Sequence, residues 1–305
     1  MKKSLGPYIA LAVLFAVCCI SSDYFRNPQN LMNISRQVSY SGIIALGMTL
    51  VIAAGGIDLS VGSLFALSGV VALQLMNGVE CSPLTGLLLA VLAAGATGYI
   101  GGALNGTLVS VWKIPPFIVT LGTMSIFRSL SLYLADAGLV TAGNPLFRNL
   151  GGWVPFWVMA ASAVILALVL VETPFGRHVC AVGSNERVAR YAGIRTGVVK
   201  FHTYGIIGLL TGLSAIMFAG RLDSISSTGA GLSYELDAIA AVIIGGTSMS
   251  GGKASVWGTL AGIFILGIIS NALDLWGISA NLQGIVKGTV IIIAVLFQYK
   301  NRKEA

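Results

Sequence analysis

Runs of mostly apolar residues, each near the 20 or so that a helix needs to cross a bilayer, follow one another along this chain from end to end. They lie near residues 5–22, 38–55, 61–77, 84–108, 117–134, 153–171, 202–221, 236–249, 255–273 and 282–298, and the third and eighth are short. Of 305 residues, 56% are hydrophobic and 10% charged, against roughly 25% charged in a soluble domain. A soluble fold of this length would be left with large exposed apolar patches; lipid absorbs them. Glycine, at 39 residues, is about twice its usual share. In lipid, small residues let helices approach closely, and glycines recur at four-residue spacing: Gly98, Gly102 and Gly106, then Gly208 and Gly212, then Gly258 and Gly262. The expected fold class is all-α, a polytopic transmembrane helical bundle of about ten spans. Residues 1–305 are expected to form one transmembrane domain.

Charge orients it. Lys and Arg number 18 and Asp and Glu 11, a net charge of +7. The basic residues are scattered between apolar runs instead of forming a phosphate-binding stripe, so nucleic acid is not an expected partner. With the N-terminus inside, the inner loops and tails hold Lys2, Lys3, Lys113, Arg177, Arg187, Arg190, Arg195, Lys200, Lys253, Lys300, Arg302 and Lys303. Arg26, Arg36 and Arg148 fall outside, and Arg128, Arg221 and Lys287 lie within or at the ends of spans. The bias toward one side predicts both termini in the cytoplasm. Lys2 and Lys3 before an apolar run resemble a signal peptide, with a loose cleavage site at Ser21-Ser22; the reading adopted is an uncleaved first helix.

Several chemistries lack their residues. Cys18, Cys19, Cys81 and Cys180 form no CxxC pair and sit near no histidine, so no metal site is expected. The nearest approach to a phosphate loop, Thr247 to Ala254, has threonine where glycine should begin it and alanine where Ser or Thr should hold Mg²⁺. Any ATPase must therefore be another chain. Intramembrane hydrolysis lacks a GxSG serine, and His178 and His202 sit at the ends of the basic loop, not inside a span.

Two segments depart from plain apolar helix. Gly55 to Ser63 interrupts a hydrophobic stretch with glycines and the carboxylate of Asp58, and Gly245-Gly246-Thr247 to Gly251-Gly252 does the same near the other end. Such breaks either line a pathway or make tight inner turns, with Asp58 capping the third helix. Lys287, Glu235 and Asp237 are expected to snorkel or pair. Asn105, Thr120, Thr123 and Asn271 are polar groups within spans, serving a passage or holding helices together. The longest inner loop, 172–201, is the most basic. It is either a solvated loop held against anionic lipid or a short helix over Glu186–Ala192, capped by Ser184 or Asn185 and ended by Gly193.

Gly56-Ile57-Asp58-Leu59-Ser60-Val61-Gly62-Ser63 resembles the signature of the ribose/xylose/arabinose/galactose class of bacterial ATP-binding cassette (ABC) permeases. So do Phe175-Gly176-Arg177 with Ala181 to Glu186 and Ala189 to Ile194, Tyr234 to Ala241 leading into Gly245-Gly246-Thr247-Ser248, and Asn271-Ala272-Leu273. The resemblance runs in order from about residue 30 to the C-terminus; Ser184 and Val188 depart mildly, standing where glycine and alanine are usual. It implies a permease carrying a small sugar such as ribose across the bacterial cytoplasmic (inner) membrane, with no cofactor of its own. The implied partners are a second permease copy, like or unlike, and two ATP-binding subunits or one tandem chain holding ATP and Mg²⁺. A periplasmic or surface sugar-binding protein completes them. It also implies that 172–201 is a cytoplasmic coupling loop docking on the ATPase through Gly176, Arg177, Gly183, Asn185, Glu186, Ala189, Arg190 and Gly193. Asp58, Ser60, Gly62, Glu235, Asp237, Gly245, Gly246 and Asn271 stand in its motifs with a translocation or structural role. A secondary transporter driven by an ion gradient is the alternative, with Asp58 as its one good relay.

Overall fold

Proline at the first helical turn and a polar residue just before it start many of the helices, because both suit backbone N–H groups that have no partner in the helix. Asn27 precedes Pro28 and its side chain accepts from Gln29 N; Ser82 precedes Pro83 and accepts from Thr85 N; Thr173 precedes Pro174 and accepts from Gly176 N. The computed structural model describes residues 5–303. In order the helices are α1 (Gly6–Ser21), α2 (Pro28–Ala53), α3 (Val61–Gly78), α4 (Pro83–Ser110), α5 (Pro116–Leu134), α6 (Val154–Glu172), α7 (Pro174–Ser184), α8 (Glu186–Tyr191), α9 (Thr196–Leu222), α10 (Tyr234–Ile244), α11 (Val256–Leu275) and α12 (Ala280–Lys303). Seven of them, α2 to α6, α9 and α11, are long and apolar enough to cross a membrane.

The all-α expectation needs one amendment. β1 (Leu139–Thr141) and β2 (Ser224–Ser226) pair antiparallel, Val140 opposite Ile225, and tie the loop after α5 to the end of α9. Helix starts also differ: α2 begins at Pro28, not 38, and α9 at Thr196, not 202, since polar first turns, capped by Asn27 in α2, extend both helices beyond their apolar stretches. The predicted eighth span, 236–249, is an 11-residue helix, about 16 Å long, which cannot cross about 30 Å of hydrocarbon. Lys2 and Lys3 lie outside the described residues, as do the side chains of Lys300, Arg302 and Lys303.

α2 is the axis of the bundle. Its run from Ile43 to Val51 is buried on every side, as expected of a helix with apolar residues all round. Between α4 and α9 the backbones touch: a methyl group on Gly98 would strike the Gly208 carbonyl oxygen, and one on Gly102 the Tyr204 carbonyl oxygen. The four-residue glycine spacing read in the sequence forms this seam, and Gly262 meets Ala241 of α10 in the same way. Between helices, Thr49 and Thr259 hydroxyls lie 2.8 Å apart and the Ser214 hydroxyl donates to the Tyr40 carbonyl at 2.8 Å.

Two glycines should therefore answer alanine with opposite signs. Gly208→Ala forces the α4–α9 seam apart and should cost about 1–3 kcal/mol. Gly284→Ala, in open space within α12, should gain about 0.5–1 kcal/mol from helix propensity. Unfolding of the purified protein in detergent measures both; equal effects would contradict the close seam.

Candidate functional site

Of the two irregular segments singled out in the sequence, 55–60 leaves the helix inside the bundle, whereas 245–252 is a tight turn against Gly183 at the basic end. After α2 the chain turns at Gly55, with φ of +79°, and Asp58 is fully buried. Asp58 Oδ1 accepts from Ser60 N at 2.9 Å and from the Ser60 hydroxyl at 2.7 Å. Asn105 of α4 donates to the Ser60 hydroxyl at 2.8 Å, and the Tyr204 hydroxyl donates to the Ile57 carbonyl at 2.9 Å. Asp58 thus shapes the turn that delivers Ser60, the residue before α3. It does not cap the helix directly, and Ser60 makes no side-chain cap bond either.

A further break, which the sequence reading did not single out, runs from β2 to α10. Its carbonyls point inward, away from any helix ladder, and Arg128 of α5 collects them. Arg128 Nη1 donates to the Ser227 carbonyl at 2.8 Å and, weakly, to Thr228 at 3.5 Å; Nη2 donates to Ala230 at 3.0 Å and to Gly62 at 3.4 Å. Arg128 stands twelve residues past the start of α5 and six before its end, about 18 and 9 Å along the axis, so the clamp lies within the bundle. Here the start of α3 meets the start of α10. A side chain on Gly62 would strike the Gly231 carbonyl and the Glu235 carboxylate, and Gly231, at φ +71°, abuts Gly62 in turn. Beside the clamp lies a cavity of about 490 Å³ whose lining includes Ser63, Ser125, Arg128, Ser129, Thr228 and Glu235.

The basic end of the bundle carries α7 and α8. Gly176 lets α7 lie on the backbone of Leu170, and Arg177 reaches the Glu172 carbonyl at 3.4 Å. Gly183 is seated against the Ala53 carbonyl and Gly252 N, while Gly252 N donates to Ala53 O at 2.9 Å. Asn185 caps α8 through Val188 N, and Gly193, at φ +82°, follows the helix. Glu186 pairs with Lys200 at 2.6 Å and with Arg190 at 3.3 Å. Burial raises the Glu186 carboxyl, but the hydrogen bond and charge of Lys200, a bond from Thr196 and the charge of Arg190 outweigh it and hold the group below its ordinary value. Ala189 is only 3% exposed and packs inward with Ala53, Val182 and Val199. It seats α8 on the bundle from within, so any part it has in docking runs through the position of α8. The outward residues of α8 are Arg187, Val188, Arg190 and Tyr191, the last 91% exposed; Arg187, Arg190 and Tyr191 line a groove of about 880 Å³ together with Lys113 and Lys200.

The other predicted residues lie apart. Thr120 and Thr123 bond carbonyls of their own helix. Asn271 exchanges hydrogen bonds with Asn30 at 2.8 and 3.0 Å. Asp237 pairs with Lys287 at 3.0 Å, the pairing expected of them, while Glu235 faces Gly62. Gly245 touches Gly258, and Gly246, at φ +85°, opens the turn toward Gly251 and Gly252. Sequence reading left Arg128 undecided, although an arginine inside an apolar helix was itself a signal. It passed over Asn30, and it placed Val188 and Tyr191 in the short helix without giving either a role.

A multi-pass helical protein with broken passages and a capped helical unit on its basic end has the layout of a membrane permease. The chain matches, over residues 30–295, the family described as the permease component of branched-chain amino acid transport systems, and it belongs to that family. It is 43% identical to the ribose import permease protein RbsC of Bacillus subtilis, over 98% of this chain and 94% of that protein. It is 41% identical to the RbsC of Escherichia coli K12, over 99% and 94%. With the L-arabinose transport system permease protein AraH of Escherichia coli K12 it shares 34%, over 97% and 91%. The family description speaks of amino acids, whereas these relatives are sugar permeases of the ribose and arabinose class, which the sequence motifs anticipated.

The Asp58 turn makes a testable distinction. Asp58→Asn keeps an oxygen for both Ser60 donors, so it should retain most of the folded protein. Asp58→Ala leaves buried donors unpaired, at about 1–3 kcal/mol each. Folded yield and transport activity check the order; equal loss in both variants would mean that the charge, not the turn, is what matters.

Proposed function

We propose that the chain is the membrane-spanning subunit of an ATP-driven importer that carries ribose or a closely related monosaccharide into a bacterial cell. The kinship with ribose import permeases along nearly the whole chain carries this reading. The chain has ten passages in the cytoplasmic (inner) membrane, the third and eighth broken, with both termini and the basic end in the cytoplasm. Residues 172–201 are the coupling unit within this one domain. ATP and Mg²⁺ belong to two ATP-binding subunits, or one tandem chain; a second permease copy completes the passage, and a sugar-binding protein delivers substrate outside.

The basic end supports a mechanism. α8 lies exposed yet is fastened from within by Ala189 and by the Glu186–Lys200 pair. Through α7 it is continuous with Gly183, which abuts both Ala53 at the end of α2 and Gly252 in the loop before α11. A push on α8 by a partner reaches the Asp58 turn through Ala53 and the end of α10 through the 245–255 loop. Tyr191, Val188 and Arg187 present the docking face, and Arg177, Arg190 and Lys113 add charge at its border. ATP hydrolysis is thereby coupled to movement at the breaks.

Reconstitution tests it. The permease with its ATPase chain and binding protein should take up ribose only when ATP is supplied. Tyr191→Ala combined with Arg187→Glu should leave membrane levels unchanged while the ATPase is lost on purification and uptake falls at least tenfold. Ala189→Trp should release the ATPase by a different route, unseating α8 and exposing the loop to protease. Full uptake by the permease alone under a proton gradient would overturn the importer reading, and normal ATPase retention in the double variant would move the docking face elsewhere.

A further inference from the structure

Resting on the reading as a sugar permease, we propose that the cavity beside the Arg128 clamp is a hydroxyl-binding subsite of the passage. Glu235 is its principal acceptor, Ser63, Ser125, Ser129 and Thr228 are its hydroxyl wall, and its ligand is an uncharged polyol, not an amino acid. Three observations carry it. The first is the outer face of α5: Ser125 and Ser129 are exposed one turn apart, at the level of the half-buried clamp. They form a hydroxyl strip on a helix that otherwise exposes apolar residues such as Phe117, Ile118, Leu121, Ile126 and Leu130. Hydroxyls gain nothing from facing lipid tails, whereas a polar passage gives them partners.

The second is how the charges are spent. Each terminal nitrogen of Arg128 donates to two backbone carbonyls, so its fork is occupied and offers a ligand little. Glu235 is the reverse. Apart from a bond to its own backbone, no hydrogen bond reaches its carboxylate among the described residues, and the missing side chain at Gly62 leaves room for it there. A carboxylate only accepts, with two oxygens and about four lone-pair sites; neighbouring hydroxyls of a sugar are donors spaced to use both oxygens.

The third is the sum. Arg128 and Glu235 both line the cavity with opposite charges, and the remaining polar side chains of the lining are hydroxyls. The site is neutral overall and has no uncommitted cation among the described residues. An amino acid could set its ammonium against Glu235, but its carboxylate would be desolvated with no uncommitted cation to receive it, because the Arg128 fork is already engaged. A neutral sugar meets the Glu235 acceptor and the hydroxyls with its own hydroxyls, and Met124, Leu132 and Leu232 with its C–H faces. The volume, about 490 Å³, falls in the usual range of about 300–1,000 Å³ for small-molecule sites.

The test uses the whole importer in liposomes with ATP, its binding protein and radiolabelled ribose. Glu235→Gln, which replaces one acceptor oxygen by a donor, should lower uptake at saturating sugar at least fivefold for equal amounts of assembled complex. Ser129→Cys, with Cys18, Cys19, Cys81 and Cys180 replaced by serine, should transport until a small methanethiosulfonate reagent blocks it, and ribose undergoing transport should slow that block. Wild-type uptake by Glu235→Gln together with a Ser129→Cys variant indifferent to the reagent would overturn the subsite. Should Glu235→Gln not assemble, the labelling result decides alone. Failure of the wild-type importer to move ribose would instead overturn the permease reading, so the two failures are distinguishable.

Discussion

Backbone that leaves a helix inside a membrane protein must find partners for its N–H and C=O groups, because the surrounding hydrocarbon supplies none. The clamp made by Arg128 meets that requirement where two chain breaks come together. Its four donors serve carbonyls of Ser227, Thr228 and Ala230 on one break and of Gly62 at the other. Without a planar, permanently charged fork at this depth, the chain between β2 and α10 would hold unsatisfied carbonyls and could not remain irregular there. A continuous helix would then be the cheaper structure, and the cavity would close. The clamp therefore makes room for a polar space inside an otherwise apolar bundle.

The rest of the architecture positions that space and connects it to the basic end. The glycine seam of α4 and α9 brings Asn105 and Tyr204 close enough to hold the Asp58 turn from both sides. At the basic end, Gly183 has no side chain, and only so can α7 lie on Ala53 and Gly252 together. One element thus touches both the approach to the Asp58 turn and the loop that follows α10. Small residues at these contacts make rigid backbone-to-backbone joints, and rigid joints transmit displacement where flexible side chains would absorb it.

Most of the membrane helices were legible because apolar length is a direct physical requirement of the bilayer. The glycine seam was legible because its spacing follows the helix period. The capped helix at Glu186 could be read from Asn185 and Gly193, both local signals. What the sequence concealed depends on contacts between distant segments. Nothing local says that Ala189 faces inward and Tyr191 outward on so short a helix. Polar turns such as 28–37 fail a hydropathy ruler yet continue α2, since Asn27 and Pro28 start the helix earlier. The eighth passage looked like a span because residues 236–249 are apolar, but Gly245 and Gly246 end α10 after 11 residues. Arg128 was visible as an anomaly, while its four partners lie 66 to 102 positions away in sequence.

Amide hydrogen exchange of the purified permease, compared between wild type and Arg128→Lys, tests the clamp most directly. Lysine keeps the charge but offers three donors from a single point and cannot span four carbonyls. The account predicts faster exchange confined to the start of α3 and to residues 227–235, with the α4–α9 seam unchanged. Unchanged protection of 227–235 in Arg128→Lys would contradict it and would mean that the broken passages are held by something other than this arginine.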